Sequence, residues 1–213
     1  MGQKVNPLSF RLKTSLTAPD WQSSWFANKF KYPILLLEDK RIRDFVQKKL
    51  SSAGIVATKI ERSAKKIKII LIVSRPGLVI GRGGKELEIL KNDIQKLLTR
   101  SSAKINIDIQ VEEFRNVDFS AKLIAEKISY QLQKRMPYRR VILGAMEKSM
   151  GAGAKGIKIV LSGRINGAEI SRREKFSQGT VPLSTIRSHI DYFEQPCLTR
   201  SGYIGIKVYL CLA

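Results

Sequence analysis

Positive charge is the feature that most limits what this chain can be. Its 213 residues contain 39 lysines and arginines against 18 aspartates and glutamates, a formal net charge of +21. In a compact fold such a surplus repels itself unless a polyanion neutralises it. We therefore predict nucleic acid as the partner. An anionic membrane is the second candidate, but the sequence offers no strongly amphipathic basic helix and no apolar segment long enough to span a bilayer.

The residue combinations that enzymes and metal sites use are missing from the sequence. His189 is the single histidine, and Cys197 and Cys211 have neither the spacing of zinc ligands nor the number of a disulfide framework. Residues 151–156 fit GxGxxG, but a helical pattern precedes them and a strand pattern follows, the reverse of a dinucleotide site. We predict no catalytic residues, metal, cofactor or small-molecule substrate, and so no enzyme.

The first half of the chain predicts a mixed order of helices and strands. Residues 1–15 are polar and basic, which predicts an extended arm. Apolar residues at helical spacing and β-branched runs then alternate along the chain. The predicted elements are a helix over 38–50, strands over 55–60 and 67–73, a glycine-rich helical segment over 77–84, a helix over 87–98 and a strand over 105–111. This is the order α-β-β-α-α-β.

The second half predicts a two-layer α+β domain in which two helices precede a four-stranded sheet. Pro137 separates the two helical patterns, since proline cannot continue a helix interior. The predicted helices cover 119–132 and 138–150, and the predicted strands cover 157–162, about 168–176, about 185–193 and 203–212.

A glycine turn within the first half carries a resemblance to a known fold. Ile80-Gly81-Arg82-Gly83-Gly84 precedes an amphipathic helix, with both hairpin strands before it and one strand after it. This arrangement resembles a K-homology (KH) domain of type II. We expect an arm over 1–15, a type II KH domain over 16–112 and the α+β domain over 113–213.

The chemistry of the glycine turn favours RNA. Glycines lack β-carbons and let the chain approach a sugar–phosphate backbone, while the amides that open the next helix attract phosphate. A plain turn between two helices is the alternative interpretation. The RNA-binding residues predicted here are Arg75, Gly81, Arg82, Gly83, Gly84 and Lys85.

Two further basic clusters lie in the second half. One is at the junction of the two predicted helices, where cations at a helix start are unfavourable without an anion. The other lies in the predicted sheet, where acids alternate with the cations, so cross-strand ion pairing and RNA contact both remain open. The predicted RNA-binding residues are Lys134, Arg135, Arg139 and Arg140 in the first cluster and Arg164, Arg172 and Arg173 in the second.

Three aromatic residues precede the first predicted helix. Trp21, Trp25 and Phe26 could stack on bases, or they could be buried against that helix. The second interpretation is favoured, because large aromatic side chains dominate protein cores.

The whole chain resembles the small-subunit ribosomal protein three family, in its bacterial or organellar branch. The segments that carry the resemblance run in order from residue 2 to residue 208. They include Gly2-Gln3-Lys4-Val5-Asn6-Pro7, Phe10-Arg11-Leu12, Trp25-Phe26-Ala27-Asn28, the segment 75–84, Ala121-Lys122-Leu123, Arg139-Arg140, Gly153-Ala154-Lys155-Gly156-Ile157-Lys158, Ser162-Gly163-Arg164, Gly167-Ala168-Glu169-Ile170, Val181-Pro182-Leu183 and Ile190-Asp191-Tyr192.

The resemblance implies a structural, RNA-binding role in translation. It implies a protein bound to small-subunit ribosomal RNA in the subunit head, in contact with neighbouring head proteins, in a cytoplasmic or organellar ribosome. It also implies contact with messenger RNA at the entrance of its channel, where a basic helix assists in opening messenger structure. Arg139 and Arg140 fall on that helix, but Leu143 and Gly144 stand where the family often has Lys and Arg.

Overall fold

The computed structural model describes residues 4–12, 21–63, 66–98 and 106–212. It divides into two compact units, one over residues 20–115 and one that joins residues 1–19 to residues 116–213. The predicted boundaries, 1–15, 16–112 and 113–213, differ by a few residues. The larger difference is that the N-terminal segment belongs to the second unit.

The first unit contains the predicted α-β-β-α-α-β order. Its elements are β1 (Ser23–Ser24), α2 (Tyr32–Lys49), β2 (Ile55–Arg62), β3 (Lys66–Val73), α3 (Pro76–Ile80), α4 (Lys85–Leu98) and β4 (Asn106–Glu113), with α1 (Pro7–Phe10) preceding them in the chain. The sheet order is β1-β2-β3-β4. β3 is antiparallel to β2 and parallel to β4, so α3 and α4 form the crossover that a parallel pair requires. The type II KH fold is confirmed.

Alternating apolar residues build the core of this unit. Ile67, Ile69, Leu71 and Val73 are buried on one face of β3, as the two-residue period of a strand dictates. They pack in one cluster with buried residues of α2 and α4. α2 begins at Tyr32, earlier than the predicted residue 38, because Pro33 occupies the first turn, where a missing amide proton is tolerated. Residues 64–65 and 105, parts of the predicted turn and strand, lie outside the described residues.

A buried charged group fixes the segment that enters α2. Asp39 has no exposed surface, and it accepts hydrogen bonds from Ser23 Oγ and from Trp25 Nε1, each at 2.8 Å. Trp25 is partly buried, whereas Trp21 and Phe26 are 85% and 94% exposed. The prediction that these aromatics are buried is therefore wrong for Trp21 and Phe26. Of the three aromatic residues, only Trp25, whose indole donates a hydrogen bond to Asp39, is held against α2.

The second unit is the predicted layer of two helices on a four-stranded sheet. Its elements are α5 (Ala121–Gln133), α6 (Tyr138–Gly151), β5 (Gly156–Gly163), β6 (Arg172–Gly179), β7 (Ile190–Thr199) and β8 (Gly202–Cys211). The sheet order is β6-β5-β8-β7, and all neighbours are antiparallel. Ile157, Ile159 and Leu161 are fully buried on the face of β5 that packs on the helices.

Two strands lie later in the chain than their apolar patterns predict. β6 was expected over about 168–176, but Ile165–Gly167 forms a 3₁₀ turn and the strand starts at Arg172. β7 was expected over about 185–193, but it continues to Thr199 because it pairs with β8, Thr199 opposite Gly202. Strand pairing between distant residues sets both boundaries, and local sequence patterns do not contain that information.

Of the predicted extended arm over 1–15, the described residues 4–12 contain a helical turn, Pro7–Phe10. Residues 1–3 and 13–15 of the arm lie outside the described residues. Asn6 starts this turn, because its side chain accepts a hydrogen bond from the Leu8 amide at 2.9 Å and Pro7 follows it. Among the described residues, no helix is both long and apolar enough to cross a membrane.

Arg11 fastens this segment to the rest of the second unit. It is 1% exposed, and among the described residues it donates mainly to backbone oxygens and forms no ion pair with an acid. Its Nη1 donates to Pro7 at 2.9 Å, its Nε to Ser188 at 3.0 Å, and its Nη2 to Leu183 at 3.0 Å and Thr185 at 2.9 Å. A buried cation is tolerated because most of its donors are satisfied.

Candidate nucleic-acid interface

The glycine turn between α3 and α4 is open to solvent at its last two glycines. The backbone has positive φ at Gly81, Gly83 and Gly84, with values of 69°, 65° and 77°. A β-carbon on Gly81 would lie 2.5 Å from Cγ of Glu86, so packing requires this glycine. A β-carbon on Gly83 or Gly84 would meet nothing within 4 Å. A nucleic-acid backbone could therefore approach the chain closely at these two positions.

The charges beside the turn are mixed. Arg82 and Lys85 are exposed, and Arg75 is exposed at the start of α3. Glu86 and Glu88 occupy the first turn of α4, where acids interact favourably with the helix dipole. These two acids, which the sequence interpretation did not weigh, offset Arg82 and Lys85. Arg82 and Lys85 together with Glu86 and Glu88 therefore give this turn no local net positive charge.

The junction of α5 and α6 exposes the four cations of the helix-junction cluster, Lys134, Arg135, Arg139 and Arg140. The Nζ of Lys134 lies 4.3 Å from the ring centre of Tyr130, a cation–π contact. Arg135 adopts a left-handed backbone, with φ of 59°, between the two helices. Arg139 and Arg140 lie in the first turn of α6, at the positive end of its dipole. An anion bound here would relieve that unfavourable arrangement.

One tyrosine links this junction to β6. The Tyr138 hydroxyl donates to the Glu174 carboxylate at 3.3 Å and accepts a hydrogen bond from Arg139 Nε at 3.2 Å. This hydrogen bond, helped by the charge interactions with Tyr138 and Glu174, raises the pKa of Arg139. Arg172 Nε lies 3.0 Å from the same carboxylate. Arg172 thus contacts Glu174 directly, and Arg139, 33 positions earlier in the sequence, is linked to the same acid through the Tyr138 hydroxyl.

The remaining sheet cations have different surroundings. Arg172 pairs with Glu174 along its own strand, so the cross-strand pairing considered from the sequence is not the pairing found. Arg173 points to the opposite face of β6, and it makes no ion pair with any residue that the structure describes. Arg164 is exposed, and its Nε donates to the Ala168 backbone oxygen at 2.9 Å. Arg173 and Arg164 remain available to an external anion.

The predicted residues therefore form two separate groups. Those of residues 75–85 lie in the first unit, and all the others lie in the second. Within the second unit, Arg135, Tyr138 and Arg164 line one cavity. Arg135 of the helix-junction cluster and Arg164 of the sheet cluster therefore lie on one surface, although the two clusters are separate in the sequence.

A basic aromatic surface on the outer face of the second sheet was missed by the sequence interpretation. Tyr192 and Tyr209 are neighbours there, with ring centres 4.8 Å apart, and Lys158 Nζ lies 6.0 Å from the Tyr209 ring. The signal was present: Lys158 stands between two buried isoleucines, Ile157 and Ile159. A lysine at such a position must point to the uncovered face of the sheet.

The cations on this face crowd one another. Burial lowers the pKa of Lys158, and the positive charges of Lys4, Lys175 and Arg173 lower it further. Cations held together at such a surface favour a bound anion.

The fold and these surfaces define a KH-containing nucleic-acid-binding protein. Comparison with known families agrees: residues 41–117 match the family model of the KH domain, and residues 128–210 match that of the ribosomal protein S3 C-terminal domain.

Similarity to individual proteins extends over nearly the whole chain. The chain is 45% identical over 210 residues to the small ribosomal subunit protein uS3 of Protochlamydia amoebophila, covering 99% of this chain and 94% of the relative. It is 45% identical over 215 residues to uS3 of Rhodopirellula baltica, with 99% and 88% covered, and 44% identical over 210 residues to uS3 of a Synechococcus species, with 99% and 84% covered. The chain belongs to the uS3 family. This family is structural and non-enzymatic, as expected from the sequence.

Proposed function

We propose that this protein is a structural constituent of the small ribosomal subunit in the cytoplasm. It binds ribosomal RNA in the subunit head and helps form the entrance for messenger RNA during translation. The observation that carries the proposal is the 45% identity over 99% of the chain to proteins of that subunit. The formal charge of +21 supports it, because ribosomal RNA supplies the polyanion that such a surface requires.

Two surfaces are proposed to bind RNA. In the first unit, residues Arg75, Gly81, Arg82, Gly83, Gly84 and Lys85 contact an RNA backbone through the open turn. In the second unit the cations on α6 and around the α5–α6 junction take phosphates. The proposed residues of this second surface are Lys134, Arg135, Arg139, Arg140, Arg164 and Arg172. Arg173, which lies on the opposite face of β6, is proposed to contact RNA from the outer face of the sheet.

The start of α6 is proposed to meet messenger RNA. Arg139 and Arg140 are exposed on its first turn, and Arg139 is positioned by its hydrogen bond to Tyr138. Leu143 lies one turn further along α6 and is 52% exposed. The helix face that begins with the two arginines therefore continues with an apolar residue and not with a third cation. The helix therefore engages messenger RNA through two arginines over one turn.

Neighbouring head proteins are proposed to cover an apolar surface of the first unit. Trp21, Phe26 and Phe30 are 85%, 94% and 87% exposed, and Ile34 and Leu37 on α2 are each more than half exposed. Contiguous exposed apolar surface marks interaction sites in soluble proteins. Aromatic residues are also enriched where proteins meet.

A free KH-type regulator that visits ribosomes transiently is the alternative function. It predicts no ordered role for the N-terminal segment. The burial of Arg11 and its hydrogen bonds to residues 182–188 favour the ribosomal constituent instead, because they give the segment a defined structural role.

Sedimentation of the tagged protein from cell extracts tests the proposal. We expect the protein in the small-subunit peak of a sucrose gradient at one copy per subunit, retained after a wash in high salt. A known small-subunit protein with the same tag is the control for the stoichiometry. Absence from this peak, or a substoichiometric amount that the wash removes, would contradict a structural role.

A further inference from the structure

The second unit contains a cavity of about 300 Å³ beside the basic clusters. Its walls come from the α5–α6 junction, the turn Ile165–Gly167 and the turn that joins β7 to β8. Leu132, Leu161 and Ile204 line it and are at most 8% exposed. The floor of the cavity is therefore apolar, which suits a flat, poorly hydrated group better than a bare anion.

Three arginines surround this apolar floor. Arg135, Arg164 and Arg200 line the cavity, and all three are exposed. None of them makes an ion pair with a residue within the described parts of the chain. In its hydrogen bonds with the described residues, Arg164 donates from Nε alone, to the Ala168 backbone oxygen, so its terminal nitrogens can donate to a ligand. A ligand in the cavity would thus contact the apolar side chains of its floor and the three arginines at its edge.

The backbone is strained at this cavity. Among the described residues, Arg135 and Asn166 are the two non-glycine residues with positive φ, at 59° and 58°, and both line it. A left-handed backbone is unfavourable for a side chain such as arginine. Strained positions of this kind cluster at ligand sites, where the surrounding fold holds them. That both fall at one cavity is independent support for a binding role.

The chemistry of the lining matches a nucleotide. Tyr138 is half-buried and lines the cavity, so it adds an aromatic side chain to the apolar residues that a base can contact. Asn166, Thr199 and Ser201 supply polar groups that can recognise the edge of a base. Guanidinium groups bind phosphate in a bidentate manner. A volume of about 300 Å³ lies at the small end of ligand sites, as a single nucleotide would require.

We propose that this cavity holds one unstacked nucleotide of single-stranded RNA, with its base on the apolar floor and its phosphates on Arg135, Arg164 and Arg200. The inference rests on the proposed function, because it assumes that RNA is the partner. It goes further by assigning base recognition to a site in the second unit, separate from the glycine turn of the KH unit.

Nuclear magnetic resonance of the full-length protein tests base insertion directly. With methyl-labelled isoleucine and leucine and a hexauridylate probe, we expect nuclear Overhauser effects from uracil protons to methyl groups of Leu161 and Ile204. A hexamer with abasic ribose at every position is the matched probe. It should bind the full-length protein about tenfold more weakly, since stacking of a base contributes on that scale.

Two variants and a charge-matched control locate the site. Ser201→Trp places a bulky side chain at the half-buried edge of the cavity and should abolish the Overhauser effects while most phosphate affinity remains. Arg200→Ala, on an exposed turn, alters no buried packing and should weaken hexauridylate binding several-fold. Arg187→Ala removes an exposed arginine of the same unit that does not line the cavity, and it should change neither readout.

The outcomes separate this inference from the proposed function. If the wild-type protein binds RNA but shows no Overhauser effect to the cavity methyl groups, or if Arg200→Ala and Arg187→Ala behave alike, base insertion is wrong and the ribosomal role stands. If the protein co-sediments with no small subunit and binds no RNA, both fail.

Assembled subunits identify the source of the nucleotide. With 4-thiouridine placed either in messenger RNA or in ribosomal RNA, we expect a photo-adduct on the peptide that contains residues 199–204 from one of the two. An adduct from either RNA supports the inference and names its source. No adduct from either labelled RNA in subunits that carry this protein would contradict it.

Discussion

The carboxylate of Asp39 lies 2.5 Å from Nη2 of Arg62, and neither side chain is more than 6% exposed. Glu38 completes the group through Arg62 Nη1 at 2.8 Å. Through Ser23 and Trp25, Asp39 also joins the segment before α2 to β2. A single carboxylate thus organises the side of the KH unit that carries the exposed aromatics.

We expect Asp39→Ala to destabilise the first unit by about 3–5 kcal/mol, because it leaves a buried guanidinium without its main partner. Asp39→Asn keeps an acceptor for Trp25 and should be less severe. Urea unfolding followed by tryptophan fluorescence measures this unit alone, since both tryptophans lie in it. Asp93→Ala, which breaks the exposed ion pair with Lys49, is the control and should have a much smaller effect. Equal effects of Asp39→Ala and Asp93→Ala would contradict the organising role of Asp39.

Acidic replacement of Gly83 and Gly84 should weaken RNA binding without unfolding the KH unit. Both positions have open space around the missing β-carbon, so Gly83→Asp with Gly84→Asp adds repulsion toward phosphate and only moderate backbone strain. Gly83→Asn with Gly84→Asn has the same shape and strain without the charge. We expect at least tenfold weaker binding for the Asp pair than for the Asn pair at low salt, measured by fluorescence anisotropy. Loss of cooperative unfolding in both pairs would show that the glycines are structural.

The two arginines of α6 should matter most where messenger RNA is folded. Arg139→Ala with Arg140→Ala is expected to slow translation through a stable hairpin several-fold and to leave unstructured messenger nearly unaffected. Leu143→Lys extends the cationic face by one turn and should have the opposite, smaller effect on hairpin passage. Translation times on matched messengers with and without the hairpin provide the measurement. Equal slowing on both messengers would count against a role in opening structure.

Asp191 gives the second unit a pH-dependent stability. Its Oδ2 accepts a hydrogen bond from the Ala121 amide at 2.7 Å, at the start of α5. Burial raises the pKa of this carboxyl, although the backbone hydrogen bonds of Ala121 and Tyr192 and the charge of His189 lower it in part. Because the folded pKa exceeds the unfolded one, the stability that Asp191 contributes is complete below the unfolded pKa. It is lost as the pH rises through the folded pKa.

Asp191→Asn should therefore remove this pH dependence. The amide keeps an acceptor for Ala121 and stays neutral. The free energy of unfolding of the variant, relative to that of the wild type, should therefore increase as the pH rises from about 3 to about 7. Asp191→Ala loses the acceptor and should be less stable than Asp191→Asn by about 1 kcal/mol at both values. Thermal unfolding by circular dichroism at the two pH values measures the differences. A stability difference between wild type and Asp191→Asn that is independent of pH would contradict the shifted pKa.

Sequence patterns predicted those parts of the fold that local periodicity determines. The order of elements in both units followed from apolar spacing, and the glycine turn indicated the KH domain. Strand ends that depend on pairing, such as Thr199 opposite Gly202, did not follow from local sequence. The exposure of Phe26 was missed because an aromatic residue beside a helix resembles core unless its partners are known. The left-handed backbone of Arg135 and the contacts of Tyr138 and Arg172 with Glu174 depend on tertiary structure.

The backbone oxygens that accept hydrogen bonds from Arg11 have a consequence for biosynthesis. The acceptors at Leu183, Thr185 and Ser188 are made more than 170 residues after the arginine that needs them. All of the KH unit is synthesised in between, and domains generally fold as they emerge. The Arg11 guanidinium of a nascent chain therefore lacks these acceptors while the KH unit folds, until residues 183–188 have left the exit tunnel. Residues 7–11 are therefore among the first to be synthesised and among the last to form their final contacts.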